Sequence, residues 1–313
     1  MSRIIITGAS GFIGRHVIGH FLHDGFDVHC ITREAVHDPL LAESGATWHE
    51  MNLLHPHGCR KLFEQVRPTH LLHLAWCTKP GEFWNSESNL DWLAASIELL
   101  ADFVTSGGKR ATFAGSCAEY DWRYGYLTEG LTPTVAESLY GASKNGLRGA
   151  AEQYCRQKRV GFSWGRIFFL YGKYEHPSRL VPSIIRPLIN SKRAVCASGN
   201  QVRDFLNSED VASALASVAL SEIEGAINIG SGVAVSIGEV AADIAKIIGG
   251  TPLLEYSDEP SQSHHPYVIA NIDRLRDEVG WKSAISLEGG LEDAVNWWRM
   301  RLKENRSDRG VEP

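Results

Sequence analysis

The stretch IIITGASGFIG, residues 4–14, settles the fold class, because it joins an apolar strand to a helix through three evenly spaced glycines. Gly8 permits a tight turn, Gly11 lets a ligand approach the backbone, and Gly14 lets the helix pack against the strand. The free N–H groups and partial positive charge at the start of such a helix bind phosphate groups. The glycines alone would suit any turn with positive φ, but the flanking strand and helix favour a dinucleotide-binding loop.

The same alternation of strand and helix continues along the first half of the chain. The predicted strands are RIIIT, DVHCITR, HLLHLAW, RATFAGSC and GFSWGRIFFLYG, and helical patterns separate most of them. Strands separated by helices of roughly ten to fifteen residues indicate β-α-β units and a parallel sheet with right-handed crossovers. We therefore predict an α/β protein built on a Rossmann-type, doubly wound parallel sheet.

After Gly172 the rhythm changes, since KYEHPSRLVPSIIRPLI carries prolines and has no clear period. Further on, AINIGSG is typical of one more buried strand that returns to the sheet. Ser236 with Glu239 three residues later forms a capping box at the start of a helix. The last third of the chain therefore indicates a smaller, mixed α/β cap.

These patterns divide the chain into two parts and a tail. We predict a dinucleotide-binding Rossmann domain over residues 1–172, to which residues 203–232 return. The smaller, mixed α/β C-terminal cap takes residues 173–202 and 233–305. The polar residues 306–313 are expected to form a frayed tail.

The composition narrows the class of protein. The 313 residues carry a formal net charge of −6 and no basic block, so we expect no nucleic-acid partner. No secretory leader precedes the first strand, and no apolar run approaches the roughly 18 residues of a membrane span, so we expect no membrane partner. Six scattered cysteines without a Cys-x-x-Cys pair indicate a reducing compartment. We predict a cytoplasmic protein.

The end of the second strand bears on the choice of dinucleotide. An acidic residue there would bind the 2′-hydroxyl of NAD, but this chain has Thr32-Arg33. An arginine suits a 2′-phosphate through charge-assisted hydrogen bonds. We therefore predict NADP as the cofactor, while Glu34 in the next position keeps NAD open as the alternative.

The segment YGASK places Tyr140 and Lys144 at positions i and i+4 on one helix face. A nearby ammonium favours the phenolate and lowers a tyrosine pKa from its usual value of about 10. Ser116, at the end of a predicted strand, would hydrogen-bond the reacting oxygen. We predict that Tyr140 is the acid/base, Lys144 lowers its pKa and holds the cofactor ribose, and Ser116 assists, in chemistry on an alcohol or ketone.

Together these motifs resemble an extended short-chain dehydrogenase/reductase of the NAD-dependent epimerase/dehydratase family, which acts on nucleotide sugars. The resemblance runs from Ile4 to about Trp298 and rests on TGASGFIG, HLLHLAW, Ser116, YGASK, RIFFLYG, RDF, INIGSG and RLRDEVGW. It implies nicotinamide chemistry at a sugar carbon and a cap that binds the substrate. It also implies a homodimer built from two helices per subunit, near Leu93–Val104 and Ser143–Gln157, although the apolar stripe on each helix would equally suit a core.

The resemblance, with the glycine loop, also implies a set of binding residues. The predicted cofactor-binding residues are Gly8, Ser10, Gly11, Phe12, Ile13, Gly14, Arg33, Asn52, Leu53, Leu74, Ala75, Trp76, Tyr140, Lys144, Ile167 and Phe168. The predicted substrate-binding residues are Ser116, Cys117, Phe169, Arg179 and Arg203. Arg203 of the RDF segment would bind the sugar diphosphate, and Arg179 is either a second diphosphate contact or a loop charge.

Two departures from the family pattern narrow the reaction. Dehydratases of the family carry an Asp-Glu pair directly after the serine or threonine, where this chain has Cys117-Ala118. Glu119 comes one position later and, by strand alternation, is expected to face the other way. Phe169 stands where the family often has an asparagine that contacts the phosphate. A 4,6-dehydratase is therefore not expected.

With Arg33 favouring NADP, these departures favour net reduction. The leading prediction is a 4-ketoreductase of an NDP-4-keto-6-deoxy sugar. An NAD-retaining nucleotide-sugar 4-epimerase and a catalytically silent NADP-sensing binding protein remain alternatives.

Other polar clusters do not have the spacing of a metal site. The histidines and cysteine of HPHGC (His55, His57, Cys59) and the pair His264-His265 offer too few ligands for zinc, so no metal is predicted. The aromatic segment EYDWRYGY, residues 119–126, would either cover the sugar or pack within the fold.

Overall fold

The structure is a computed structural model that describes residues 2–56, 58–197, 199–257 and 265–307. Its strands β1 to β14 run, in chain order, over Arg3–Thr7, Asp27–Thr32, Thr47–Glu50, His70–His73, Arg110–Ser116, Tyr126–Leu127, Gly161–Ile167, Phe169–Tyr171, Ala194–Ala197, Val202–Asn207, Gly225–Ile229, Ala234–Ser236, Leu254–Ser257 and Tyr267–Ala270. Helices α1 to α9 run over Gly14–His23, Pro39–Ala42, Arg60–Val66, Ser88–Thr105, Leu139–Lys158, Leu180–Ile189, Ser208–Leu220, Ile237–Ile248 and Leu287–Ser307.

The larger sheet is parallel throughout and has the strand order β11-β7-β5-β4-β1-β2-β3. Helices cover both faces of this sheet. Successive residues of β1 point to opposite sides, so its apolar side chains pack against the helices on each face. Ile4 and Ile6 pack with α1 and α7, whereas Ile5 packs with α4 and α5. All three isoleucines are fully buried, as a doubly wound sheet requires. The predicted Rossmann-type fold is confirmed.

A smaller, mixed sheet lies beyond the larger one. Strand β10 pairs in parallel with β8 and β14 and antiparallel with β12, and β14 continues to β6. Helices α6, α8 and α9 pack into a second apolar core behind it. Strand β11 returns to the edge of the larger sheet, and α7 packs on α1. The division at residues 1–172, 203–232, 173–202 and 233–305 stays a prediction.

The segment GFSWGRIFFLYG forms two strands rather than one. Strand β7 ends at Ile167, Phe168 donates its N–H to the carbonyl of Ile229 at 3.0 Å, and β8 then pairs with β10 of the smaller sheet. The chain therefore passes from one sheet to the other within three residues. This crossing brings the ends of the two sheets together at the side where the glycine loop lies.

The C-terminal helix α9 extends to Ser307, and the rest of the predicted tail, residues 308–313, lies outside the described residues. Among the helices that the structure describes, none combines the length and the apolar character needed to cross a membrane.

Candidate active site

The glycine loop after β1 is shaped by close approach between backbones. Gly8 has a φ of +67°, and a Cβ there would lie 2.8 Å from the amide nitrogen of Ala75, just beyond β4. A Cβ on Gly14, the first residue of α1, would lie 2.6 Å from Cα of Ala9 and would overlap the carbonyl oxygen of Gly8. A side chain fits at neither position, so the strand, the loop and the helix stay in contact.

No side chain caps the first turn of α1. Ile13 precedes the helix without a capping side-chain hydrogen bond, and the first turn holds no acidic residue. Ser10 instead hydrogen-bonds Thr32 at the end of β2, with 3.2 Å between the two hydroxyl oxygens. Uncapped N–H groups and the helix dipole attract anions. The loop residues, with half-buried Phe12 among them, therefore fit a dinucleotide diphosphate.

A buried hydrogen-bond chain ties this loop to the neighbouring strand and helix. His73, at the end of β4, lies 2.7 Å from the Thr7 hydroxyl through Nδ1 and 2.8 Å from the Ser96 hydroxyl through Nε2. Ser96 donates its proton to the carbonyl of Trp92, so it accepts from His73. Burial lowers the pKa of His73 to about 3, so the neutral ring accepts from Thr7.

The series of hydrogen bonds through His73 ends on the backbone beside the glycine loop. The Thr7 oxygen accepts the N–H groups of Leu74 and Ala75, both at 3.2 Å. These two predicted cofactor residues are thereby held against Gly8. Each hydrogen bond in this series has only one possible donor. The side chains at the base of the cleft therefore have a fixed orientation.

The carboxyl ends of the parallel strands gather the predicted residues at one sheet edge. Thr7 pairs with His73 across β1 and β4, and Ser116 pairs with Ile167 across β5 and β7. Ile167 packs with Ile13 and Leu74 in one apolar cluster. This edge is where open α/β sheets bind their ligands.

Ser116 is positioned by a tight turn with a buried carboxylate beneath it. The strand ends at Ser116, and Cys117–Glu119 form a single 3-10 turn. The Ser116 hydroxyl accepts the N–H of Ala118 at 3.2 Å, and the Ser116 N–H donates to Oε1 of Glu119 at 2.8 Å. Strand alternation therefore does not set the direction of Glu119, because the chain is no longer a strand there. The Glu119 side chain turns back under Ser116 instead of facing the other way.

Glu119 is fully buried, and side chains of the larger sheet compensate its negative charge. Its Oε2 lies 2.7 Å from Nε of Arg166, and its Oε1 accepts the indole N–H of Trp164 at 2.9 Å. With the Ser116 N–H, these donors hold the carboxylate in an ion pair under the turn. Glu119 thus supports Ser116 from below.

Tyr140 lies in an aromatic enclosure next to Ser116. Its ring meets those of Phe83, Trp84 and Trp76 edge to face, with centroids 4.9, 6.0 and 6.3 Å away. Burial raises the pKa of Tyr140, and a hydrogen bond with the Ser116 side chain acts in the opposite direction. The net direction differs from the lowering predicted from the Tyr-Lys spacing, because the whole pair is buried.

Lys144 lies one turn further along α5 and is 3% exposed. Its Nζ donates to the carbonyl of Ala114 at 2.9 Å and lies 3.8 Å from the centroid of the Trp76 ring. Burial lowers the pKa of Lys144 to about 7, against the opposing effect of the Glu119 carboxylate. Ser116, Tyr140 and Lys144 therefore form one cluster at the end of β5.

The predicted substrate side lies on the smaller sheet. Arg203 on β10 is 3% exposed, its Nη1 donates to the carbonyls of Val202 and Pro266 at 2.8 and 3.3 Å, and its guanidinium lies 5.4 Å from the Phe169 ring. The Cys117 side chain hydrogen-bonds Ser116, and burial raises the pKa of its thiol to about 12. Phe169 and Cys117 therefore connect Arg203 with the cluster of Ser116, Tyr140 and Lys144.

Arg179 stands at the start of α6, across the opening from Tyr140. Its Nη2 donates to the carbonyl of Thr78 at 3.2 Å, and its guanidinium lies 5.3 Å from the ring of Phe83. Its positive charge favours the phenolate of Tyr140. Arg179 therefore belongs to the wall of the same opening.

An aromatic cavity of about 400 Å³ includes Pro266, whose carbonyl accepts a hydrogen bond from Arg203. Its lining residues are Trp122, Arg123, Gly125, His265, Pro266 and Tyr267. Trp122 also faces Phe169 at 6.1 Å and Trp84 at 6.3 Å between ring centroids, so the aromatic wall is continuous with the enclosure of Tyr140.

The charged groups of the cavity are paired within the chain. Arg123 donates to both carboxylate oxygens of Asp121, and Nε2 of His265 lies 3.0 Å from the Glu137 carboxylate. The cavity therefore presents aromatic surface, and its polar side chains Arg123 and His265 already have partners within the chain.

The profile of the NAD dependent epimerase/dehydratase family matches residues 4–230. The chain belongs to this family. It is similar to the GDP-6-deoxy-D-mannose reductase of Pseudomonas aeruginosa, with 27% identity over 96% of this chain and 99% of that protein.

Two solved structures share the fold along almost the whole chain. One is the UDP-N-acetylglucosamine 4-epimerase of Methanobrevibacter ruminantium in complex with UDP-N-acetylmuramic acid, with a TM-score of 0.85, 21% identity and coverage of 96% of this chain and 99% of that one. The other is the Thermus thermophilus UDP-glucose 4-epimerase complex with NAD, with a TM-score of 0.80, 22% identity and coverage of 95% and 99%. The prediction of an extended short-chain dehydrogenase/reductase enzyme of this family is confirmed.

The remaining predicted cofactor residues of this family member lie around the same edge. Asn52 and Leu53 follow β3, where Asn52 Oδ1 accepts the N–H of Leu54 at 3.1 Å and Leu53 packs against the core below α4. The Phe168 side chain instead packs into the apolar cluster of the smaller sheet, beside Cys117. Phe168 therefore lies on the substrate side of the crossing between the sheets.

Arg33 follows β2 with a side chain 75% exposed, 3.5 Å from the Glu34 carboxylate. A second arginine, Arg15 in the first turn of α1, was not singled out from the sequence. Its Nη1 lies 3.1 Å from Asp38, and its guanidinium lies 3.7 Å from the centroid of the Tyr174 ring. Its place directly after the third glycine of the loop is the signal that would have found it.

Sequence reasoning also missed the aromatic residues around Tyr140. Phe83 and Trp84 stand side by side in the loop before α4, and this adjacency is the only signal that they carry. The segment at residues 119–126 packs within the fold through Tyr120, which is buried and bonded to Asn228. Trp122 borders the cavity, and a role of this segment in covering the sugar stays a prediction.

The histidine clusters contribute no site within the described chain, where no group of three or more His, Cys, Asp or Glu side chains is arranged to hold a metal. His57 and His264, from the two clusters considered above, lie outside the described residues.

Proposed function

We propose that the chain is an NADP-dependent 4-ketoreductase of an NDP-4-keto-6-deoxy sugar. Tyr140 acts as the proton donor, Ser116 as the hydrogen-bond partner of the carbonyl oxygen, and Lys144 as the residue that holds the cofactor ribose. The diphosphate of the substrate binds Arg203, with Arg179 as a second contact. A bound nicotinamide supplies the hydride.

The state of Tyr140 supports reduction. Because burial raises its pKa, the phenol carries its proton at neutral pH and is ready to donate it to a forming alkoxide. The Ser116 side chain acts on Tyr140 as a hydrogen-bond partner, so the two hydroxyl groups lie near each other and could both bind the carbonyl oxygen of the substrate. An epimerase would need the phenolate first, to remove a proton from a sugar hydroxyl.

The observation that carries the proposal is the pair of groups next to Ser116. Burial raises the pKa of the Cys117 thiol to about 12, so this side chain stays neutral, and the Glu119 carboxylate is held by Arg166 and Trp164 beneath the turn. Neither side chain is available to remove the proton that a dehydration requires. Simple reduction needs only the donor that Tyr140 supplies.

The aromatic cavity supports a neutral sugar with an apolar substituent. The diphosphate at Arg203 and the reacting carbon at Tyr140 leave the far side of the sugar facing Trp122 and Tyr267. Aromatic faces suit a methyl group at C6, whereas a C6 carboxylate would need a cation that is not already paired. Arg123 and His265 are paired with Asp121 and Glu137.

The position of Arg33 supports NADP as the cofactor. The exposed guanidinium of Arg33 at the end of β2 reaches the solvent side of the cleft, where a 2′-phosphate would bind. The similar Thermus thermophilus epimerase binds NAD, and Glu34 beside Arg33 keeps that cofactor as the alternative.

The test is an assay of purified protein with nucleoside-diphosphate 4-keto-6-deoxy sugars and either NADPH or NADH. We expect keto-sugar-dependent oxidation of NADPH, and a loss of about 100-fold to 10,000-fold in turnover for Tyr140→Phe with cofactor binding retained. Tyr154→Phe, on the same helix, is the matched control and should keep full turnover. Normal turnover of Tyr140→Phe would contradict the assignment.

Other outcomes separate the alternatives. Interconversion of nucleotide sugars without net consumption of the reductant would identify the NAD-retaining 4-epimerase, which the two similar epimerase structures favour. Binding of NADP without turnover of any sugar nucleotide would identify a silent NADP-sensing protein.

A further inference from the structure

Lys144 has an unusual neighbour in Trp76. The ammonium lies 3.8 Å from the centroid of the Trp76 ring, within the distance at which a cation is attracted to an aromatic face. The same indole meets the Tyr140 ring edge to face at 6.3 Å. Trp76, in the segment that follows β4, therefore contacts both titrating members of the cluster.

The orientation of Trp76 is fixed by polar contacts behind it. Its indole N–H donates to Oδ1 of Asn89 at 2.8 Å. Asn89 is 1% exposed and donates its own amide to the carbonyls of Phe83 and Ser86 at 2.7 and 2.8 Å. The Trp92 ring stacks on the Trp76 ring, with 6.2 Å between their centroids. The aromatic face is thus held toward Lys144 and cannot turn away without breaking these bonds.

We propose that Trp76 is a positioning residue whose indole face keeps Lys144 charged and aimed at the cofactor ribose. The proposal deepens the function given above and rests on it for the role of Lys144. Burial disfavours the ammonium, and the electron-rich face of the indole compensates for part of the lost hydration.

Other groups around Lys144 act on its charge as well. The Glu119 carboxylate, from the turn after β5, raises its pKa, and Glu119 is itself paired with Arg166 of β7. His73 of β4 is neutral, and Tyr140 lies one turn earlier on α5. All of these groups remain in place when Trp76 is replaced, although Tyr140 also loses its edge-to-face contact with the indole.

The sign of the expected change follows from burial. Without the indole, the pKa of Lys144 falls further below about 7, so the ammonium is lost at lower pH. A step that needs the ammonium is lost as pH rises through that value. NADPH affinity and turnover should both fall at high pH, and we call this fall the alkaline limb of the pH profile. We expect the alkaline limb of Trp76→Leu to lie about one pH unit lower than that of the wild type. Trp76→Phe keeps an aromatic face and should move it less.

The experiment measures NADPH binding by nicotinamide fluorescence over a pH series. It needs no sugar nucleotide, so it tests Trp76 even if the protein does not reduce 4-keto sugars. Trp84→Leu is the matched control, because Trp84 also meets the Tyr140 ring edge to face, at 6.0 Å, whereas the Lys144 ammonium lies over the Trp76 ring. We expect the pH profile of Trp84→Leu to keep its alkaline limb in place. Trp76→Met repeats the comparison if the leucine variant does not fold.

Coincident alkaline limbs for wild type and folded Trp76→Leu or Trp76→Met would overturn the proposal. So would an equal shift in Trp84→Leu, because it would show a general effect of opening the enclosure. If wild type reduces 4-keto sugars while the Trp76 limbs coincide, this inference fails and the proposed function stands.

Discussion

Glu175 is a buried acid in the loop between β8 and α6. It is 5% exposed, and within the described chain its Oε2 has no hydrogen-bond partner. Burial raises the pKa of Glu175 to about 8, although the Arg179 charge and the N–H of Gly172 favour the carboxylate. The side chain is therefore largely a neutral acid at neutral pH.

This residue makes stability depend on pH. The folded state binds the Glu175 proton more tightly than the unfolded chain does, so the free energy of unfolding falls as pH rises from about 4.5 to about 8. The amide of Glu175→Gln does not ionise, so the variant should lose this dependence and gain a few kcal/mol relative to wild type at alkaline pH. Unfolding midpoints across a pH series measure the difference.

A surface acid provides the control for Glu175. Glu64→Gln removes a carboxylate that is 61% exposed, and its midpoints should follow the wild-type curve. Parallel curves for wild type and Glu175→Gln would show that burial does not bias the Glu175 proton as proposed.

At the same scale, the sequence predicted the residues whose motif spacing reflects local geometry. Ser116, Tyr140 and Lys144 come together because one follows a strand and two share a helix face. Trp84 and Glu119 act through contacts with segments far away in the chain, as the pairing of Glu119 with Arg166 shows. No local pattern records such a contact, so these residues required the structure.

At the scale of elements, helix α1 holds two glycines with opposite surroundings. A Cβ on Gly14 would collide with the loop, whereas a Cβ on the exposed Gly19 would meet nothing within 4 Å. One residue type thus serves close packing at one end of the helix and only lowers helix stability at the other.

Replacing Gly14 and replacing Gly19 by alanine should therefore change the free energy of unfolding in opposite directions. Gly14→Ala should destabilise the fold by about 1–3 kcal/mol through overpacking and weaken dinucleotide binding, because loop and helix must separate. Gly19→Ala should leave binding intact and stabilise the protein by about 0.5–1 kcal/mol. Thermal unfolding and NADPH titration of both variants make the comparison, and intact binding by Gly14→Ala would contradict the proposed role of the loop.

Helices and strands whose apolar residues recur at a regular spacing were predicted well, and elements without such a pattern were not. The Ser236–Glu239 capping box is present, with Ser236 accepting the N–H of Glu239 at 3.0 Å. Helix α6 was missed because Pro187 and Pro182 mask its pattern, yet both prolines lie within a helix of strongly apolar face. Short strands such as β8 and β12 owe their form to pairing with β10, which local sequence does not reveal.

At the scale of the whole molecule, helices α4 and α5 lie side by side over one face of the larger sheet. Leu90 and Ile97, two turns apart on α4, remain 52% and 43% exposed. The predicted homodimer would cover this face with the same helices of a second copy.

Charges on that face should prevent association. We expect the wild-type protein to sediment at twice its chain mass of 34.6 kDa, and Leu90→Glu with Ile97→Glu to sediment as a monomer. Leu131→Glu, at a position 81% exposed outside these helices, should remain a dimer. A monomeric wild type, or a dimer unaffected by the paired change, would refute this interface.

The hydrogen-bond line from Ser96 through His73 to Thr7 has a consequence for how such a protein diversifies. Each hydroxyl and imidazole in it has a single permitted orientation, so the entropy of ordering this part of the cleft is spent during folding and not when a ligand arrives. Discrimination among sugars is left to peripheral loops, whose side chains can be exchanged without rebuilding the strand termini. Substitutions at the mouth of the cleft are therefore expected to change specificity without altering its base.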